Sequence, residues 1–116
     1  MPLLIIRSAA KIDDTAVSSM LAASSAKLAA LLAQPEDYVM TLFDRANGMT
    51  MAGTAEPCCL VEVRSVVNLR SDQTRAVAQA FCLMLGGHLG VPPNRIFLNF
   101  TDFSKTMWGF NGSTLA

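Results

Sequence analysis

This chain has little of what most catalytic sites are built from. It contains one histidine, three cysteines, and 9 acidic and 9 basic residues in a length of 116. His88 has no cluster of cysteines or carboxylates near it in the sequence, so no metal site is predicted. Adjacent Cys58 and Cys59 with a distant Cys82 form an odd set, typical of reduced buried thiols rather than a disulfide framework. No basic run occurs, which argues against nucleic-acid binding.

Long apolar runs are also missing near the N-terminus. The run from Leu3 to Ile6 is stopped by Arg7, which makes it too short for a signal peptide core or a membrane span. We therefore expect a cytoplasmic protein with no membrane partner. Even so, 52% of the residues are hydrophobic and only 16% are charged. Such a composition is apolar for a single domain, residues 1–116, and predicts contacts between subunits.

The N-terminus carries the clearest chemical signal. Met1 is followed by Pro2 and then by a strand-like segment. Removal of Met1 would leave a free secondary amine at the start of this strand. Burial among apolar groups would lower the pKa of this amine toward neutrality, which suits a general base. Alternatively, Pro2 merely occupies an unpaired strand end; and if Met1 is retained, the Pro2 nitrogen is an amide and cannot act as a base.

The chain contains an internal repeat, in which the segment of about 1–45 corresponds to the segment of about 58–102. A shift of 57 or 58 positions aligns the segment 3–8 with 60–65, and 35–42 with 93–100. Each half reads as strand, helix and strand, and a right-handed crossover would make its two strands parallel. We predict an α/β (α+β) fold in which two pseudo-symmetric β-α-β units form a four-stranded mixed sheet with two helices on one face.

Local signals delimit the helices. Candidate N-terminal caps are Asp13, Asp14 and Thr15 for the first helix, and Ser71 and Asp72 for the second. Gly90 is expected to end the second helix, and the Gly86-Gly87 pair to make its last turn irregular.

The strands of the predicted sheet are apolar on both faces, yet two helices can cover only one face. We therefore expect subunits to associate through the other face. The segment 107–115, with a turn at Asn111-Gly112, reads as a hairpin suited to gripping a neighbouring subunit.

Together, these features resemble the tautomerase superfamily, and within it the macrophage migration inhibitory factor and D-dopachrome tautomerase family. The resemblance covers essentially the whole chain. It is carried by Met1-Pro2, the duplicated unit, Glu56-Pro57-Cys58, the segment 93–99 and the ending 111–116.

The resemblance implies a homotrimer with active sites at subunit interfaces. Each site would catalyse keto–enol tautomerisation of phenylpyruvate-like aromatic α-keto acids and dopachrome-type probes. The Pro2 nitrogen would remove a proton alpha to the carbonyl and return it at the other position of the enol. No metal or organic cofactor is implied, and leaderless secretion is implied as an alternative to a purely cytoplasmic location.

Site residues follow from the same resemblance. The residues that match substrate-binding or pocket-lining positions are Gln34, Val66, Asn99, Tyr38, Phe97, Phe110 and Leu115. Val66 would contribute its backbone N–H, and Asn99 would reach the substrate from a neighbouring subunit.

Several positions depart from the family pattern. Gln34 replaces a lysine that pairs with the substrate carboxylate, Phe97 replaces a tyrosine, and Phe110 replaces a tryptophan. A neutral amide binds a carboxylate less strongly than a charged group does. The alternative function is therefore a cytokine-like interaction factor, with an unidentified receptor, whose tautomerase activity is weak or vestigial. The family's Cys-x-x-Cys reads Cys58-Cys59-Leu60-Val61 here, which does not support thiol oxidoreductase chemistry.

Overall fold

Two long helices and a four-stranded sheet organise the computed structural model, which describes residues 1–66 and 68–116. The elements are β1 (Leu3–Ser8), α1 (Asp14–Leu32), β2 (Met40–Arg45), β3 (Cys59–Ser65), α2 (Ser71–Leu89) and β4 (Ile96–Asp102), followed by the short strands β5 (Gly109–Phe110) and β6 (Ser113–Thr114). Single 3₁₀ turns span Glu36–Tyr38, Pro93–Arg95 and Lys105–Met107.

The strand order of the main sheet is β2-β1-β3-β4. β1 pairs with β2 in parallel, β3 pairs with β4 in parallel, and β1 meets β3 in antiparallel register. Each parallel pair encloses one helix along the chain. The predicted mixed sheet of two β-α-β units with helices on one face is therefore confirmed.

The core lies between the sheet and the two helices. Alternate residues of the central strands point into it, and Leu4, Ile6, Val61 and Val63 are completely buried. The helices contribute Met20, Leu28, Phe81 and Leu85, which are also completely buried. Full burial of one such side chain is worth about 1.5–3 kcal/mol, so this layer is the main source of stability.

Two equivalent serines sit in this layer at the ends of the central strands. The Ser8 hydroxyl donates to the carbonyl of Cys58 at 2.6 Å. The Ser65 hydroxyl donates to an Asp102 carboxylate oxygen at 2.9 Å. Both side chains are fully buried, and these bonds satisfy them.

Of the three candidate caps of α1, Asp13 was predicted correctly, whereas Asp14 and Thr15 lie inside the helix. Asp13 precedes it in an extended conformation, and its carboxylate accepts from the backbone N–H of Ala16 at 2.8 Å. α1 is long and apolar enough to cross a membrane by length and composition alone. Its buried residues nevertheless pack into the core with the sheet, as in a helix of a folded domain.

The two ends of α2 differ from the sequence expectation. Ser71 and Asp72 lie inside the helix rather than before it, so their prediction as caps was wrong. Instead, the Gln73 side chain accepts from the Arg70 N–H at 3.1 Å.

The expectation of an irregular last turn was also wrong, because α2 runs unbroken to Leu89 before ending at Gly90, whose φ is 67°. Gly86 has a packing role instead. A Cβ at Gly86 would lie only 3.3 Å from the Val91 carbonyl oxygen.

The second face of the sheet carries no helix, and we call it the open face. It bears a charged network that crosses β2, β1 and β3, in which Arg7 bonds Glu62 at 2.7 Å and Asp44 at 3.2 Å. Arg64 also approaches Glu62, at 3.4 Å. This face also carries the polar residues Asn99 and Thr101 of β4 and the following apolar residues: Leu3, Ile5, Met40, Leu42, Leu60 and Phe97.

Candidate active site

Pro2 lies directly before β1, an interior strand of the sheet, and it is fully buried. Its carbonyl accepts from the Met40 N–H at 3.1 Å, which fixes it beside the start of β2. Leu3 pairs with Met40 on one side and with Arg64 on the other. The backbone at Pro2 and Leu3 is thus paired with β2 on one side and β3 on the other. A proline at an unpaired strand end would lack these contacts.

A pocket of about 350 Å³ opens beside Pro2. Its volume lies in the range of small-molecule sites. The pocket lies where the open face meets the start of β1. Its lining is Met1, Pro2, Leu3, Asp37, Tyr38, Val39, Met40, Trp108, Gly109 and Phe110.

Aromatic rings form the wall opposite Pro2. Tyr38, from the 3₁₀ turn before β2, meets Phe110 of β5 edge to face, with ring centroids 5.7 Å apart. Trp108 makes a similar contact with Phe103 at 5.7 Å. Tyr38 and Phe110 are still about half exposed, at 47% and 49%. These aromatic rings therefore form one wall of the pocket, and part of this wall is exposed to solvent.

The pKa of the Met1 amine shows how this pocket affects a positive charge. Burial lowers the pKa of the Met1 amine below its ordinary value. Desolvation is the cause, because an ammonium group loses hydration among apolar side chains. The pocket therefore favours an uncharged amine, which is the form that accepts a proton.

The structure brings three of the predicted site residues together, because Pro2, Tyr38 and Phe110 line the same pocket. Gln34 follows α1, half-buried, and its N–H donates to the Ala29 carbonyl at 3.0 Å. Gln34 does not line the pocket. Val66 follows the end of β3, and the register of β1 with β3 continues to place it opposite Met1.

Phe97 and Asn99 lie elsewhere, on the open face of β4. Two strand spacings, roughly 10 Å, separate β4 from β1 across the sheet. Neither residue lines the pocket of its own chain, as expected if they serve a neighbouring chain. Leu115 stands behind the wall, where its N–H donates to the carbonyls of Lys105 and Trp108, both at 3.1 Å.

Sequence reasoning missed several lining residues, chiefly Asp37, Met40 and Trp108. Met40 could have been found, because its alignment with Leu3 follows from the two parallel strands. Trp108 is the only tryptophan in the chain and stands two positions before Phe110. Asp37 gave no signal of its own, since its position depends on the 3₁₀ turn.

The cysteines form no second reactive centre in the described chain. Cys58 and Cys59 are buried. Burial, with nearby Cys58 and Cys82, raises the pKa of the Cys59 thiol to about 12. Thiols of this kind are inert, because the thiolate is the reactive form.

A duplicated β-α-β sheet with an N-terminal proline in an apolar pocket defines the fold of the tautomerase superfamily. The family model described as macrophage migration inhibitory factor matches residues 1–116. The chain belongs to the macrophage migration inhibitory factor family.

Individual relatives show the same likeness. Macrophage migration inhibitory factor of Rattus norvegicus is 30% identical over 90 residues, which is 78% of each chain. The crystal structure of a macrophage migration inhibitory factor homologue from Prochlorococcus marinus is 38% identical, with a TM-score of 0.93, over 98% of this chain and 99% of that one. The macrophage migration inhibitory factor of Toxoplasma gondii is 25% identical, with a TM-score of 0.91, over 97% and 98%.

Proposed function

We propose that this protein is a keto–enol tautomerase of phenylpyruvate-like aromatic carbonyl compounds, with Pro2 as the general base once Met1 is removed. The neutral Pro2 nitrogen takes a proton from the carbon alpha to the carbonyl, which leaves an enolate, and the prolinium then gives this proton to the carbonyl oxygen to form the enol. In the reverse direction Pro2 takes the proton from the enol oxygen, and the prolinium returns it to the carbon. The single observation that carries this proposal is the buried Pro2 in a small apolar pocket walled by aromatic rings.

The electrostatics of the pocket support Pro2 as a base. A base works best when its pKa lies near the working pH. Desolvation in this pocket lowers the pKa of the terminal amine. Less of a free Pro2 amine would then be protonated at neutral pH, and activity would fall only when the pH drops through its lowered pKa.

We propose further that the active protein is a homotrimer that completes each site across an interface. The large hydrophobic side chains most exposed in the described chain are Tyr38, Met40, Leu83, Phe97, Met107 and Phe110. All but Leu83 lie on the open face, at the pocket or in the C-terminal segment. Apolar exposure concentrated in one region marks an interaction surface. A neighbouring chain on the open face would cover the pocket and could supply Phe97 and Asn99.

The test uses intact mass to establish removal of Met1, followed by a phenylpyruvate tautomerase assay. We expect Pro2→Gly to lower kcat/KM by about 10²- to 10⁴-fold, the usual contribution of a general base. Pro92→Gly, at an exposed proline in the second repeat, serves as the matched control and should retain activity. Equal activity of wild type and Pro2→Gly would refute the assignment.

A cytokine-like interaction role with a vestigial pocket is the second candidate. Gln34 supports it, because this residue replaces the cation of the family pattern and lies outside the pocket. The same assay separates the two, since a vestigial site would show no Pro2-dependent turnover with either an acid or an ester substrate.

A further inference from the structure

We propose that the Asp37 carboxylate determines the specificity of this pocket, so that it selects neutral aromatic carbonyl substrates over the corresponding carboxylates. This proposal rests on the tautomerase activity proposed above. It reverses the usual expectation for an α-keto acid enzyme, in which a cation meets the substrate carboxylate.

The charge of the lining carries the inference. Among the described residues that line the pocket, Asp37 alone has a side chain charged at neutral pH. The rest of the lining is apolar or aromatic, apart from the terminal amine. A substrate carboxylate entering this pocket would meet a like charge and no basic side chain.

Nearby basic residues on the described chain are already engaged or lie outside the pocket. Arg7 is bonded to Asp44 and Glu62. Arg64 pairs with the lining residue Leu3 across the sheet, contacts Glu62 at 3.4 Å and does not line the pocket itself. Lys105 precedes the pocket residue Trp108 by three positions but is exposed and does not line the pocket. The two side chains expected from a neighbouring subunit, Phe97 and Asn99, carry no charge.

The position of Asp37 is fixed by its backbone rather than by an ion pair. The 3₁₀ turn is closed by two bonds, from the Tyr38 N–H to the Pro35 carbonyl at 3.2 Å and from the Val39 N–H to the Glu36 carbonyl at 3.0 Å. No basic side chain of the described chain lies within 4 Å of the Asp37 carboxylate, so its charge is not cancelled locally. The adjacent Glu36 is also exposed but does not line the pocket, which makes it a matched control.

The experiment compares phenylpyruvate with its methyl ester, two substrates that differ by one charge. The protein lacks Met1 and is wild type, Asp37→Asn or Glu36→Gln. We expect wild type to favour the ester in kcat/KM. At a pH well above the acid limb, Asp37→Asn should improve the acid about three- to tenfold, the size expected for one like charge at a solvent-exposed rim, and leave the ester unchanged. Glu36→Gln should change neither substrate.

Two further measurements separate charge from shape. The advantage of Asp37→Asn on the acid should shrink in high salt, because salt screens exposed charges. The acid limb of the pH–rate profile should move to lower pH in Asp37→Asn, since an anion near the Pro2 amine favours its protonated form.

The outcomes are distinguishable. A wild-type preference for the acid, or an Asp37→Asn effect equal on both substrates and insensitive to salt, overturns this proposal while leaving the tautomerase intact. Absence of Pro2-dependent turnover with both substrates in all three proteins overturns the proposed function and this inference with it.

Discussion

One equivalent position has different roles in the two repeats of this protein: it lines a pocket in the first and binds a loop in the second. Tyr38 and Arg95 occupy equivalent places, the last residue of the 3₁₀ turn that leads into β2 or β4. The strand registers, Leu3 with Met40 and Leu60 with Phe97, relate the two halves by 57 positions, so the predicted shift of 58 for the segment 35–42 was wrong. Tyr38 lines an open pocket. Arg95 instead donates to four backbone carbonyls of the preceding loop, those of Met51, Thr54, Glu56 and Pro57, at 2.9–3.3 Å.

The difference arises from what precedes each central strand. In the first repeat the chain enters β1 through Met1 and Pro2. In the second repeat the chain arrives at β3 through the loop 46–58, and Arg95 ties this loop down. The position of Tyr38 is therefore used in the second repeat to hold this loop, and Cys59, at the position equivalent to Pro2, is buried.

The largest effect should come from disrupting the subunit contact that we assign to Phe97 in the second repeat. Phe97 of β4 is the counterpart of Met40 in β2, and both are exposed, at 63% and 64%. We expect Phe97→Glu to convert a trimer into monomers, because it would place an unpaired charge in an apolar interface. Light scattering measures the mass of the assembly.

Leu83→Glu is the control for this prediction. Leu83 is 80% exposed on α2, in the helix layer away from the open face. The same charge at this position should leave the trimer intact. A wild-type protein that is monomeric at micromolar concentration, or a trimer that survives Phe97→Glu, would contradict the assembly.

The next largest effect concerns the bonds by which Arg95 holds the loop 46–58. Arg95→Ala leaves the loop carbonyls without their charged donor, and bonds to charged groups are worth about 1.5–3 kcal/mol each when buried. Since Arg95 is partly exposed and water can replace some of these bonds, we expect a loss of about 2–3 kcal/mol in the free energy of unfolding. Chemical denaturation at one fixed protein concentration measures it. Arg95→Lys, which keeps the charge but not the fork of donors, should fall between the two; a loss equal to that of Arg95→Ala would show that charge contributes nothing.

A smaller effect is expected at Gln34. Gln34→Lys restores the cation of the family pattern, but Gln34 does not line the pocket. We therefore expect the KM for phenylpyruvate to fall about fivefold, near the lower end of what 1–2 kcal/mol of pairing would give. The methyl ester, which has no carboxylate, should be unaffected. Equal improvement of both substrates would place the carboxylate elsewhere.

The smallest effect concerns Cys59, the counterpart of Pro2 at the start of the second central strand. Its pKa is raised from 9.0 to about 12. As the pH rises above 9, the thiol of the unfolded chain ionises while the folded one does not, so the stability contributed by Cys59 is lost progressively up to pH 12. We expect Cys59→Ala to flatten this part of the stability curve and to retain activity. A native Cys59 that reacts rapidly with a thiol reagent at pH 8 would contradict its burial.

Much of the fold was predictable because its signals are local or periodic. The repeat, the strand–helix–strand order of each half and the Asp13 cap all follow from residue types. Asn111 and Gly112 have φ of 52° and 80°, as the tight turn between β5 and β6 requires. The start of α2 was not predictable, because Gln73 reaches back to Arg70 across its first turn. Gly86 misled because close packing against Val91, rather than flexibility, accounts for it.

The site was predictable only in part, for a physical reason. Pro2, Tyr38 and Phe110 lie at defined places in strands and turns, and they meet as expected. Asp37 and Trp108 enter the pocket through 3₁₀ turns whose orientation no periodic pattern encodes. Asn99 and Phe97 lie away from the pocket on β4, and the contacts that we propose for them require a second chain.

The pKa of the Pro2 amine is the most direct test of the central claim, that an open apolar pocket at the start of β1 makes this nitrogen a base. It can be measured by NMR titration of protein labelled with ¹⁵N-proline, after removal of Met1. We predict a pKa below the ordinary value of an α-amino group, roughly 8, that coincides with the acid limb of kcat/KM. A Pro2 amine that titrates at or above that value, or an acid limb that does not follow it, would contradict the account.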